Sequence, residues 1–135
     1  MQVFRPEDID LDTAPDANPS FGSPTGTDLP RMRSVVRQSS AEGGLRSGIW
    51  DAAAGTAEFT HTADEWAYIL EGEVQVTAAG KTHQLRAGDV FYTPAGEHMT
   101  WVIPNYVRKV WVHRRPPLPG RIKRKLVKLA RRARR

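Results

Sequence analysis

Two segments of this chain decide its fold: Glu65-Trp-Ala-Tyr-Ile-Leu-Glu-Gly72 and Gly88-Asp-Val-Phe-Tyr-Thr-Pro-Ala-Gly96. Each places a short run of β-branched and aromatic residues beside Gly or Pro, and such runs favour strands bounded by turns. The glycines permit positive φ angles in tight turns, and Pro94 suits a strand end, where its missing N–H matters little. The two segments therefore predict short strands joined by tight turns.

The same pattern recurs along the middle of the chain. Short β-type runs alternate with turn residues at a spacing of roughly 8–12 residues, and no helical stretch lies among them, which is typical of an all-β barrel or sandwich. The predicted strands are 34–38, 48–51, 57–61, 67–70, 73–77, 81–85, 90–92, 99–103 and 107–112. The predicted breaks are 71–72, 79–80, 87–89, 94–96 and 104–105.

The first segment resembles the first half of the cupin signature. In that pattern a His-x-His pair precedes a Glu by three or four residues, and a Gly follows the Glu after six more. Glu65 and Gly72 have this separation, and His61 stands at the position of the second His. Phe59 occupies the position of the first His, so the ligand set of this motif is incomplete.

The second segment resembles the other half of the signature, a Gly followed by Pro-x-Gly, then a His and an Asn. Gly88, Pro94 and Gly96 match the pattern. Met99 stands at the position of the His, and His98 lies one residue earlier. The two halves together imply a single cupin jelly-roll, which is an antiparallel β-barrel.

A narrower similarity covers about residues 33–115. Over this range the chain is similar to the cupin subgroup that includes the ureidoglycine aminohydrolase-type barrel and the ethanolamine-utilisation cupin. This resemblance implies the fold but no particular reaction, since many members lack the full ligand set. His83 and His113 lie outside the motifs and are predicted to be surface or strand residues. The matching stretches are 47–50, 69–72, 88–91, 94–96, 100–101 and 107–109.

The resemblance also implies a place for a metal ion inside the barrel. Such a site needs three or four N or O ligands, and His with carboxylate suits Mn, Fe, Ni or Zn. The chain offers His61 and Glu65, with His98 as a third ligand if a β-bulge turns it inward. Otherwise strand alternation puts His98 on the face opposite Met99. Two ligands fall below the usual count, so the sequence favours a barrel without a tightly bound metal over one that holds a single divalent ion.

Several residues are predicted to face a bound molecule. His61 and Glu65 form a pair that either performs general acid–base catalysis, orients a polar ligand or only supports the fold. Strand parity places Tyr92 and Trp101 at the cavity. Lys109 matches a lysine that recurs in the subgroup, so the resemblance implies that it binds a carboxylate or phosphate. The alternative is that Lys109 is a solvated cation.

The charge of the chain is divided unevenly. The formal net charge is +5, but nine of the 20 Lys and Arg lie within residues 121–135, where no acid occurs. The other 120 residues carry eleven basic against fifteen acidic side chains, a formal charge of −4. Residues 121–135 also show helical periodicity. The basic tail is predicted to remain solvated, to adsorb weakly on anionic lipid, or to contact nucleic acid through phosphates.

The composition divides the chain into three parts. Residues 1–34 are rich in Pro, Asp, Gly, Ser and Thr and are predicted to form an extended arm over the barrel or a partner subunit. Residues 35–115 are predicted to form the barrel. Residues 116–135 are predicted to form a Pro-rich linker and the basic tail. The chain has no cysteine, and its start has no secretory signal, so we expect a cytoplasmic protein.

These observations leave two functional hypotheses open. The first is a homodimeric cupin that binds a small polar molecule, either as a binding protein or as a hydrolase or isomerase of undetermined metal dependence. The second is a non-catalytic binding or dimerisation module that its basic tail attaches to membrane or nucleic acid. The candidate catalytic residues of the first hypothesis are Glu65 and His61.

Overall fold

The computed structural model describes residues 1–13, 24–116 and 128–133. Within them the chain forms six strands, two short 3₁₀ helices, Pro6–Asp8 and Leu11–Thr13, and a helix over residues 128–133. The strands are β1 (Met32–Ser39), β2 (Leu45–Thr60), β3 (Asp64–Ala78), β4 (Lys81–Arg86), β5 (Val90–Thr93) and β6 (His98–Arg114).

All strand pairs in this part of the chain are antiparallel. The strand order is β1-β2-β6-β3-β4, and β5 pairs with β3. The long central strands β2, β3 and β6 carry most of the pairing, in the manner of a jelly-roll barrel. The predicted all-β antiparallel barrel is confirmed, as are the turns at 79–80, 87–89 and 94–96 that separate successive strands.

Three strands are longer than the sequence pattern predicts. β2, β3 and β6 each run through a region predicted as two shorter strands, so the breaks predicted at 71–72 and 104–105 are wrong. The register of β3 against β6 shifts between Gly72 and Gln75, and irregular pairing of this kind bends a strand without ending it. Turn-type residues, which usually end a strand, therefore bend these long strands without interrupting them.

Gly72 shows why a turn-type residue occurs inside β3. Its φ angle is +78°, a value that residues with a Cβ rarely adopt. A Cβ at this position would lie 1.9 Å from the carbonyl oxygen of Tyr106 on β6. Gly72 therefore permits a close approach of two backbones at the bend.

Aromatic side chains fill the barrel interior. The indoles of Trp50, Trp101 and Trp111 are completely or almost completely buried. The ring of Trp101 meets those of Trp50 and Phe59 edge-on, at centroid distances of 5.7 and 5.8 Å. This packing is favourable for aromatic quadrupoles and makes the interior a filled core.

The first thirteen residues lie on the outer face of their own barrel. Arg108 fastens this part of the arm, since its Nη2 donates to the carbonyl oxygens of Pro6 and Ile9 at 2.8 and 2.9 Å. Residues 14–23 lie outside the described residues, and β1 begins at Met32, inside the segment predicted as the arm. The apolar contact consists of Ile9, Leu11 and Ile49, bordered by Phe4, Val35, Leu70 and Val110.

Most of the predicted linker and tail lies outside the described residues. Residues 128–133 are helical and exposed, in agreement with the helical periodicity of the tail. Among the residues that the structure describes, no helix is long and apolar enough to cross a membrane.

Candidate ligand-binding site inside the barrel

Four buried polar residues come together in the barrel interior, three of them on strands. Lys109 and His113 lie on β6 and point inward with Trp111 between them, since residues two apart share a face. Glu65, near the start of β3, pairs in register with His113. His61 follows the last residue of β2 and is also buried.

Glu65 is the centre of this cluster. The ammonium of Lys109 donates to Glu65 Oε1 at 2.8 Å, and the imidazole of His113 donates through Nε2 to Oε2 at 2.6 Å. His61 Nε2 lies 3.8 Å from Oε1. Both oxygens of a fully buried carboxylate are therefore engaged, as buried charges require.

The electrostatics follow from burial and from these contacts. Burial raises the pKa of Glu65, but Lys109, His113 and His61 together oppose it more strongly, and the pKa falls to about 2. Burial lowers the pKa of His61 to about 4, against a smaller opposing effect of Glu65. At neutral pH the cluster thus contains an ionised Glu65 and a neutral His61.

Aromatic rings surround the Lys109 ammonium. Its Nζ lies 4.8 Å from the ring centroid of Trp50, 4.7 Å from that of Trp101 and 5.7 Å from that of Phe91. Burial lowers the pKa of Lys109 against the opposing influence of Glu65. The contact with a carboxylate and the faces of indole rings favour the charged form of the amine.

A cavity of about 460 Å³ lies at the mouth of the barrel, between β3, β4, β5 and the start of β6. Its apolar wall includes Leu85, Phe91 and Met99, and its rim carries Lys81 and Glu97. Deeper inside, the space between the aromatic rings and Lys109 does not admit a sphere of the size of water. Phe91 borders both the mouth and the ammonium, so the mouth cavity leads towards the polar cluster.

The predicted metal set does not come together. His98 keeps 60% of its side-chain surface exposed, and its ring contacts Thr60 Oγ1 at 3.0 Å and Glu58 Oε1 at 3.5 Å. Met99 is the buried residue of the two, because β6 is regular here and alternation turns His98 outward. The structure thus separates His98 from His61 and Glu65.

The residues around Glu65 also do not fit a divalent cation. Lys109 places a positive charge 2.8 Å from the carboxylate oxygen that a metal would need. His113 donates its Nε2 proton to the other oxygen and so offers no lone pair there. Within the described part of the chain, no three His, Asp or Glu side chains converge in a way that could hold a metal ion. The cation beside Glu65 is therefore the ammonium of Lys109.

The predicted ligand-facing residues divide into two groups. Trp101 and Lys109 lie in the interior beside the cluster. Tyr92 lines the mouth cavity, but it keeps half of its surface exposed and stacks on Trp66, with ring centroids 4.7 Å apart. Register explains the difference, because Tyr92 pairs with the outward-facing Trp66 while Phe91 points inward.

Sequence reasoning missed His113, which was expected at the surface or in an ordinary strand position. Its ring stacks on Trp111 at 4.3 Å between centroids and contacts Glu65. One sequence signal was available, since His113 stands four residues after Lys109 and directly follows the predicted strand 107–112, and residues four apart on a strand share a face. The match to Glu65 depends on the register between β3 and β6, which no local pattern reveals.

Comparisons with solved structures agree with this architecture. A protein of unknown function from Rhizobium leguminosarum bv. viciae 3841 is similar at a TM-score of 0.65, with 19% identity over 86% of this chain and 98% of that one. A putative ethanolamine utilization protein Q from Salmonella typhimurium LT2 is similar at 0.57, with 20% identity over 71% and 98%. The Clostridium difficile EutQ protein is similar at 0.56, with 19% identity over 64% of each chain. At such identities the likeness concerns the fold.

Family membership rests on a different comparison. No curated protein matches the chain. The family model of the EutQ-like cupin domain, however, matches residues 39–111, which run from the end of β1 to Trp111 on β6. This match covers more than half of the 135 residues and includes Glu65 and Lys109, so the chain belongs to the EutQ-like cupin family.

Proposed function

We propose that this cupin binds a small polar molecule at the mouth of its barrel, with Lys109, Glu65 and His113 as the inner polar wall. The observation that carries the proposal is the completely buried ion pair of Lys109 and Glu65. Burying two ions costs several kcal/mol each, and apolar residues would fill the same space without that cost. Buried charges with shifted pKa values beside a cavity are typical of functional sites.

The geometry favours different roles for the two residues that the sequence made catalytic candidates. Glu65, with a pKa of about 2 and both oxygens engaged, is a weak base and suits the positioning of Lys109 and His113. His61, with a pKa of about 4, is neutral at pH 7. If the bound molecule reacts, His61 is the better proton acceptor of the two.

The location of the bound molecule follows from the space available. The interior beside Lys109 is closed, whereas the mouth cavity has the size of an ordinary ligand site. A ligand with an apolar body fits against Phe91 and Met99, and its polar end points inward. Phe91 lines this cavity and its ring centroid lies 5.7 Å from Lys109 Nζ, so we expect its ring to move when a ligand contacts the ammonium.

The four tryptophans allow a direct test, because Trp50, Trp101 and Trp111 are interior and Trp66 lies on the outer face. Small carboxylates, amides and amino acids would be titrated while the four indole N–H signals are followed by ¹H–¹⁵N NMR. We expect a true ligand to shift the Trp101 signal and to leave the Trp66 signal in place. The double variant Glu65→Gln with Lys109→Met, which removes both charges together, should lose at least tenfold in affinity.

A matched exterior variant controls this experiment. Tyr68→Phe alters the outer face of β3 at an exposed residue that does not line the mouth cavity, and this variant should bind the same compound as tightly as the unmodified chain. The site assignment would be rejected if the folded double variant bound with unchanged affinity, or if compounds shifted the Trp66 signal alone.

We also propose that a second copy of the chain covers the outer face of β3 and β5. An exposed apolar cluster there includes Trp66, Tyr68, Val90 and Tyr92, each with at least 40% of its surface exposed. Contiguous exposed aromatics mark interaction sites, and a two-fold axis would bury the same patch on both copies. Sedimentation velocity should show a dimer that Trp66→Ser with Tyr92→Ser converts to monomer; a dimer that persists would refute this arrangement.

The basic tail supports a further proposal, attachment of the barrel to an anionic surface. Residues 121–135 carry nine Lys or Arg and no acid, and Leu129 is exposed on the helix formed by residues 128–133. Binding to phosphatidylserine vesicles and to duplex DNA should weaken with salt and should disappear on truncation after Pro116. Retention of both kinds of binding by the truncated chain would exclude this role for the tail.

A further inference from the structure

A second cavity, of about 350 Å³, lies at the end of β6, away from the barrel mouth. Its lining includes Arg46 near the start of β2, Arg115 just beyond β6, and the buried His113. The turn between β1 and β2, with Gly44, and the residues that follow His61 complete the wall. We name it the arginine cavity. None of the residues proposed to bind a ligand at the mouth lines it except His113.

The charge of the arginine cavity is one-sided. Arg46 and Arg115 line it, and no Asp or Glu of the described residues does. Three other arginines in the described residues have partners: Arg33 with Asp51, Arg108 with carbonyl oxygens of the arm, and Arg114 with Asp64. Arg46 and Arg115 form no ion pair with a carboxylate of the described residues.

Backbone contacts hold Arg46 and Arg115 at the edge of the same cavity. Arg46 pairs with His113 across β2 and β6, and cross-strand partners point to the same side of a sheet. The backbone N–H of Arg115 donates to the carbonyl oxygen of Gly44 at 2.8 Å, which fastens the chain after β6 to the β1–β2 turn. Both cations therefore border one small cavity from strands that are tied together.

We propose that the arginine cavity binds the oxyanion group, carboxylate or phosphate, of a small molecule. A guanidinium presents paired N–H donors that match both groups, and two of them facing one cavity favour an anion over a neutral ligand. The hydroxyl of Thr62 adds a neutral donor at the wall. The site goes beyond the proposed function, because it takes a ligand of defined charge at a different end of the barrel.

The test uses inorganic phosphate and succinate, titrated separately into the full-length chain at constant ionic strength. The readout is the backbone amide signals of Gly43, Gly44, Thr62 and Ala63, which line the cavity. We expect saturable shifts there with at least one of the two anions. Arg46→Gln together with Arg115→Gln should weaken that binding at least tenfold, whereas Arg86→Gln, an exposed arginine on β4, should leave it unchanged.

The two anions separate the sources of the oxyanion, since saturation by phosphate alone indicates a phosphorylated ligand and saturation by succinate alone a carboxylate. Equal affinity of the double Arg variant and the unmodified chain would overturn the proposal, as would shifts that never saturate. The indole signals of Trp50 and Trp101 show whether the variant is folded. A mouth ligand moves the Trp101 signal, so failure of one site is distinguishable from failure of the other.

Discussion

Two carboxylates of this barrel are completely buried, and they are compensated in different ways. Glu65 meets an ammonium and an imidazole, both buried, inside an aromatic cage. Asp51, on β2, accepts from Arg33 at 3.0 and 2.5 Å and from the hydroxyl of Tyr106 at 2.8 Å. The Arg33 side chain remains 18% exposed and also pairs with Asp12 of the arm.

The difference separates a structural cluster from a candidate functional one. The Asp51 cluster joins β1, β2 and β6 to the N-terminal arm, so it has an evident role in holding the fold together. The Glu65 cluster contacts no part of the arm and joins β3 to β6 and to His61, elements that strand pairing and the chain already hold together, although its desolvation is greater. A buried ion pair is weak evidence of stabilisation, and the larger cost without an evident structural return points to the binding of a ligand.

The largest expected effect comes from Lys109→Met, which leaves the Glu65 carboxylate in the interior without its cation. We expect a loss of about 3–5 kcal/mol in the free energy of unfolding, since an unpaired buried charge is strongly destabilising. Urea unfolding followed by tryptophan fluorescence measures it.

The matched control for this variant removes both charges. Lys109→Met combined with Glu65→Gln should recover most of the lost stability, because a buried ion pair replaced by neutral groups is often close to neutral in energy. If the single variant were as stable as the unmodified chain, the ion pair could not be buried as described.

The next effect distinguishes the two clusters by pH, because only the Glu65 cluster contains histidines. Burial lowers the pKa of His61 from 6.5 to about 4, so the unfolded chain takes up this proton first as the pH falls. The contribution of neutral His61 to the free energy of unfolding is complete above pH 6.5. It is lost as the pH falls from 6.5 to 4, and the total loss is about 3 kcal/mol. Glu65 adds a further loss between pH 4.5 and 2.

The measurement is urea unfolding at a series of pH values for the unmodified chain and for His61→Gln. The variant should show a flatter dependence between pH 6.5 and 4 and should keep the loss at lower pH. An identical slope in both proteins would mean that His61 is hydrated in the folded state.

These two clusters also show how far the sequence could be read. The cupin pattern predicted the barrel and placed His61 and Glu65 on adjoining elements, and strand parity placed Trp101 inside. The partners of Glu65 lie 44 and 48 residues away on β6. Such pairs depend on the register between distant strands, which a local pattern does not specify.

The prediction for Tyr92 illustrates the same physical limit. Parity states which residues of a strand share a face, but it does not state which face is inside. β5 is four residues long, so its short apolar run reads equally well in either orientation. Its pairing with β3 points Phe91 towards Lys109 and places Tyr92 beside Trp66, at the exposed edge of the mouth cavity.

A smaller effect is expected in the Asp51 cluster. Arg33→Met removes the cation from Asp51 but leaves the Tyr106 hydroxyl as a donor, so we expect a loss of about 2 kcal/mol, typical of a charged hydrogen bond. The variant should also free the arm, and limited proteolysis should cleave within residues 1–31 faster than in the unmodified chain. Lys109→Met, at a urea concentration that leaves it folded, should not accelerate this cleavage. Equal cleavage rates in both variants would remove the structural distinction between the clusters.

The smallest effect is expected at the outer edge of the same cluster. Asp12 pairs with Arg33, but its side chain is 82% exposed, and exposed ion pairs contribute roughly 0–1 kcal/mol. Asp12→Asn should therefore lower the free energy of unfolding by less than about 0.5 kcal/mol, and the difference should vanish in high salt because exposed charges are screened. A larger, salt-resistant loss would mean that Asp12 is part of the buried cluster, and the arm would then contribute to the core of the fold.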